Sequence, residues 1–116
     1  MNAAQTDLQQ LRIKHILYKS KVRAALYGGT IDPIFFSANG QVNQWLDQVG
    51  LVKFRQEPEI RELILIQTEL NATVKYLTEL YKSGKIDQAH DGLSKIESQS
   101  EKFIKLVSQL ESRFSN

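Results

Sequence analysis

Apolar positions recur at steps of three and four along most of the chain, the spacing that places side chains on one face of an α-helix. Leu8, Leu11, His15, Tyr18, Val22 and Ala25 form the first such stripe. It predicts a helix from about Thr6 or Asp7, either of which can cap it, to Tyr27, with Gly28 and Gly29 as its end. The connection Thr30 to Gly40 follows, with Asp32 and Pro33 as turn signals and Ile34, Phe35 and Phe36 as apolar anchors. A short second helix is predicted over Gly40 to Val49, capped by Asn39, with Val42, Trp45, Leu46 and Val49 on one face and Gly50 as its stop.

Pro58 opens the third helix, and Glu57, Glu59 and Glu62 set negative charge at the positive end of its dipole. Its stripe of Ile60, Leu63, Gln67, Leu70, Val74, Leu77 and Tyr81 runs to Lys82, where Ser83 and Gly84 end it. The fourth helix, capped by Asp87, carries Ile86, Ala89, Leu93, Ile96, Ser100, Phe103, Val107, Leu110 and Phe114, with Gly92 a weak point near its start. No segment alternates as a strand would. The expected fold is all-α, an antiparallel four-helix bundle of three long helices and one short, formed by a single domain over residues 1–116 with its core at about 6–114.

Composition narrows the possible functions. Hydrophobic residues make up 41% and charged residues 24% of the 116, close to an ordinary globular protein. The longest apolar run, Leu63 to Ile66, is far short of the roughly 20 residues of a membrane-spanning helix, and the polar start from Met1 to Gln10 lacks the pattern of a signal peptide. Membrane insertion is therefore not expected. The absence of cysteine rules out disulfides, thiol catalysis and thiolate metal ligands, and fits a cytoplasmic location. A net charge of +2 does not suggest nucleic acid, although Arg12, Lys14, Lys19, Lys21 and Arg23 form a basic outer face on the first helix, read as solvated.

Four polar residues interrupt the apolar stripes: His15, Gln67, Ser100 and, beside the same stripe as Gln67, Asn71. Buried polar groups without partners cost about 1–3 kcal/mol each, so these four are expected to meet in a polar core cluster. Gln67 and Asn71 are four residues apart on one helix face, the spacing with which two histidines grip a metal.

With these residues the chain resembles the chemoreceptor zinc-binding (CZB) domains of bacterial signalling proteins, over about Leu8 to Leu110. The family's first-helix histidine with its aromatic and basic followers looks like His15, Tyr18 and Lys19. Its motif of cysteine, any residue, leucine, glycine, lysine and tryptophan falls on Gly40, Gln41, Val42, Asn43, Gln44 and Trp45, and its histidine pair falls on Gln67 and Asn71. Of the four zinc ligands the resemblance implies, only His15 is kept. Neutral amides are poor zinc ligands, so no metal or other cofactor is expected, and imidazole and amides should hydrogen-bond where the metal would sit. Were zinc bound after all, His15 with carboxylates such as Glu69 or Asp47 would be the site to examine.

The resemblance implies a non-catalytic sensory or regulatory module of bacterial signalling and chemotaxis, acting through a homodimer or a signalling-protein partner. The alternative is a histidine phosphotransfer domain with His15 as phosphoacceptor, to which His15, Leu17, Lys19 and Ser20 have a superficial likeness. Against it, Tyr18 and Lys19 stand where a small residue is needed, and His15 lies on the apolar stripe. His90 beside Asp91 is read as a surface residue, and no constellation for enzyme catalysis is evident.

Overall fold

The computed structural model describes residues 2–115, and among them every regular element is helical. Helix α1 (Ala3–Ala25) begins earlier than expected because Asn2 caps it. The Asn2 side chain accepts from the Gln5 amide at 2.8 Å, and the Gln5 side chain accepts from the Asn2 amide at 3.3 Å, a reciprocal capping box. Thr6 and Asp7 thus lie inside the helix. At the other end the turn passes through Gly28, whose φ of 96° favours a residue without Cβ.

The short second helix also differs from expectation. Gly40, not Asn39, is its N-cap, and α2 (Gln41–Trp45) continues through one π-helical turn (Leu46–Gly50) into α3 (Leu51–Lys53). Gly50 does not stop the chain, because the widened turn carries the backbone past it. Helix α4 (Pro58–Lys82) has the expected bounds, with Pro58 at its start and Ser83 as its C-cap. The fourth expected helix is split. Lys85 precedes α5 (Ile86–Asp91), Asp87 sits in its first turn rather than at the cap, and Gly92 separates it from α6 (Leu93–Arg113). At Gly92 a Cβ would stand 2.1 Å from a Leu77 methyl, so glycine lets this corner press against α4.

Helix α6 packs along both α1 and α4, and the α2–α3 segment lies against α1 and α4. All six residues of the α1 stripe are buried, as are Ile60, Leu63, Gln67, Leu70, Val74 and Leu77 of α4 and Ile96, Ser100, Phe103, Val107 and Leu110 of α6. Tyr81, Leu93 and Phe114 are only half-buried, and Ile86 is exposed. Trp45 anchors the short segment by donating its indole N–H to the Asp7 carbonyl at 3.1 Å and stacking on Phe54. No helix is long and apolar enough among the described residues to cross a membrane.

Candidate functional site

The polar interruptions of the stripes reach the interior, but as two hydrogen-bonded groups rather than one. His15, fully buried on α1, shares a hydrogen bond of 2.7 Å between its Nε2 and the Oγ of Ser100 on α6. Its ring stacks on Phe103 with centroids 4.2 Å apart and planes 8° from parallel. Phe103 is one turn beyond Ser100 on the same face, so one helix supplies both the partner and the apolar wall. Burial, followed by the positive charge of Lys19, lowers the His15 pKa to about 4; Arg12 acts in the same direction and Glu97 opposes. The imidazole is therefore neutral at pH 7.

The second group centres on Asn71. Its Oδ1 accepts from the Tyr18 hydroxyl at 2.7 Å and from Gln67 Nε2 at 3.0 Å, and its Nδ2 donates to Oδ1 of Asn43 at 3.0 Å. Burial raises the Tyr18 pKa well above the ordinary phenol range, so this hydroxyl remains a donor at every physiological pH. Three helical segments meet in these bonds: α1 through Tyr18, α2 through Asn43 and α4 through Gln67 and Asn71. Asn71 is itself half-buried, at the edge of a groove of about 410 Å³ that is also lined by Ile31, Phe36 and Val74.

No hydrogen bond joins the His15–Ser100 pair to the amides among the described residues, which corrects the expectation that imidazole and amides bond to one another. Instead His15 Nδ1 and Gln67 Oε1 are both buried without a hydrogen-bond partner among the described residues. Tyr18 and Asn43 are participants that the stripe pattern missed as polar partners. Tyr18 is a buried stripe residue whose tip is polar, and Asn43 lies beside the apolar face of α2 between Val42 and Trp45. A further polar contact missed by the pattern runs from Gln99 Nε2 to Thr73 Oγ1 at 3.2 Å.

The chemistry of these donors does not suit zinc. Carboxamides and a protonated phenol are neutral, and the single imidazole already spends one nitrogen on Ser100. At Gly40, a Cβ would stand 2.2 Å from the Phe35 carbonyl oxygen, so this backbone has no space for any side chain there, cysteine included. Glu69 and Asp47 are exposed whereas His15 is fully buried, and no three His, Cys, Asp or Glu side chains come together among the described residues. Lys19 turns outward to pair with Glu97 at 3.0 Å.

His90 is half-buried rather than a free surface residue. Its ring stacks on Tyr27 at 4.0 Å, and its Nε2 is bonded to the Leu26 carbonyl, which ties α5 to the end of α1.

Comparison with protein-family models, curated proteins and solved structures found no match.

Proposed function

We propose that this chain is a non-catalytic sensory or regulatory interaction module, a CZB-like helical bundle in which a neutral hydrogen-bonded layer stands where the family holds zinc. The reading rests above all on Asn71, which links Tyr18, Gln67 and Asn43. These positions include the two that match the family's histidine pair, and they connect the same three segments a metal would. A glutamine and an asparagine with fixed partners can hold helix register without a charge in the core.

An antiparallel arrangement of the long helices fits the cross-links. Arg12 and Lys19 of α1 pair with Glu111 and Glu97 of α6, in reversed order along the two helices. Glu59 and Thr73 of α4 likewise meet Arg113 and Gln99 of α6. By the same pairs α1 and α4 run in the same direction. Full burial of His15 speaks against phosphotransfer, because a phosphoacceptor nitrogen must be reached in line from solvent. A cytoplasmic location is supported by the absence of cysteine, and action through a homodimer or a signalling partner by the resemblance.

Native mass spectrometry of protein purified without chelator tests this reading, since one spectrum reports metal and subunit number together. The expected species is a metal-free dimer. One zinc per chain would overturn the replacement of metal by the polar layer.

A further inference from the structure

Helix α4 keeps a polar stripe beside its buried one. Asn71, Lys75, Thr78 and Lys82 step four, three and four along it, so they share one flank of the helix. All four line the groove of about 410 Å³ at the edge of the polar layer. The connection between α1 and α2 supplies its apolar wall through Ile31, Pro33 and Phe36. A space of this size suits a small molecule rather than a folded partner.

The groove's open hydrogen-bonding groups are nearly all donors. The Thr78 hydroxyl donates to the Lys75 carbonyl at 3.0 Å and the Ser37 hydroxyl to the Ile34 carbonyl at 2.7 Å, so both protons are spent. Asn71 Oδ1 already accepts two hydrogen bonds, which fills its lone pairs, whereas Nδ2 carries two N–H groups and gives one to Asn43. The second N–H has no partner among the described residues. Lys75 and Lys82 are exposed, and neither enters an ion pair among the described residues. Against these donors stands one carboxylate, that of Glu79, one turn from each lysine, so the rim keeps a net positive charge.

We infer that this groove binds a small carboxylate with an apolar body. The carboxylate accepts from the second Asn71 N–H and from the two ammonium groups, and the apolar body covers Ile31, Pro33 and Phe36. A neutral apolar molecule would leave the charged donors unanswered, and a small polar anion would leave the apolar wall wet, so the two walls together select an amphipathic acid. Because Asn71 also holds Tyr18, Gln67 and Asn43, a ligand on its second N–H bonds to the very amide at which α1, α2 and α4 meet. This inference rests on the sensory half of the proposed function and names the class of molecule sensed.

Titration of the nitrogen-15-labelled full chain with naphthoate and with octanoate, followed by NMR, tests it, with naphthamide as the neutral control and circular dichroism as the check on folding. Saturable shifts are expected at the Asn71 side-chain amide and the Phe36 backbone amide, and naphthamide should bind about tenfold more weakly than naphthoate. Binding of either acid supports the site, and the tighter of the two tells a planar body from a linear one. Lys75→Gln/Lys82→Gln should weaken binding by about tenfold, and Glu79→Gln should tighten it by about threefold. No saturable shift with either acid at millimolar concentration, equal binding of naphthamide, or shifts confined to the basic face of α1 would each overturn the site. A metal-free dimer in the native mass spectrum would then still uphold the proposed function. Groove binding by a chain that carries zinc would do the reverse, upholding the site and overturning the layer in the metal's place.

Discussion

The imidazole of His15 and the hydroxyl of Ser100 share a hydrogen bond of 2.7 Å across the α1–α6 contact, with no exposed surface on the histidine. Because His15 Nδ1 has no partner among the described residues, this bond is the ring's whole hydrogen-bonding complement there. Ser100→Ala should therefore cost about 1–3 kcal/mol, the penalty of stranding a buried polar nitrogen. Removing both partners in His15→Leu/Ser100→Ala should cost less than Ser100→Ala alone, since leucine keeps the apolar contact with Phe103. Urea denaturation of the three proteins measures both differences.

Acid should destabilise the fold through the same residue. The folded His15 pKa of about 4 lies below the unfolded value near 6.5, so the unfolded chain binds the proton more tightly. Stability from this group is complete above about pH 6.5, declines as pH falls, and is lost by about pH 4, a change on the order of 3 kcal/mol. Glu59 adds acid sensitivity only at lower pH, because its bonds to Arg113 hold its carboxyl below the usual range. Comparing the wild type with His15→Leu between pH 8 and 5 isolates the histidine. A melting temperature equally flat in both proteins would contradict a buried neutral imidazole.

Restoring imidazoles at the amide positions should restore metal affinity. In Gln67→His/Asn71→His the new pair lies four residues apart on α4 and joins His15, which gives three nitrogen ligands. Zinc at a hundredfold excess over its dissociation constant should then stabilise the variant by about 2.7 kcal/mol. The wild type should not respond. Thermal melts of both proteins with and without zinc measure the contrast.

Cysteine cannot be restored as simply. The φ of −76° at Gly40 is open to any residue, so the obstacle is space, with the Phe35 carbonyl 2.2 Å from where a Cβ would stand. Gly40→Ala should destabilise by about 1–3 kcal/mol, as overpacking does, and Gly40→Cys by a similar amount without gain in zinc affinity. Chemical denaturation and zinc titration check the two halves of this expectation.

The long helices were legible because a single periodicity governs them. The α1 stripe is buried in full, and Pro58 with Ser83 and Gly84 marks α4 at both ends. The pattern misleads where local chemistry competes with periodicity. Asn2 and Gln5 form a capping box whose spacing is visible in the sequence, yet Thr6 and Asp7 stand nearer the first apolar residue. Gly50 reads as a stop, but the π turn that absorbs it depends on packing against Trp45 and Ile60. At the site, membership could be read from which polar residues interrupt the stripes, whereas pairing could not. Whether His15 faces Ser100 or Gln67 depends on helix rotation and rotamers, and the part of Asn43 required knowing which helix lies across from α4.

The most direct measurement is nitrogen-15 NMR of the His15 ring at pH 7, recorded before and after one equivalent of zinc. A neutral ring protonated on Nε2 is expected, since that tautomer leaves only a bare lone pair on unpartnered Nδ1, and its signals should not move when zinc is added. A charged ring at pH 7, or a zinc-induced shift of either ring nitrogen, would contradict a neutral polar layer in the metal's place.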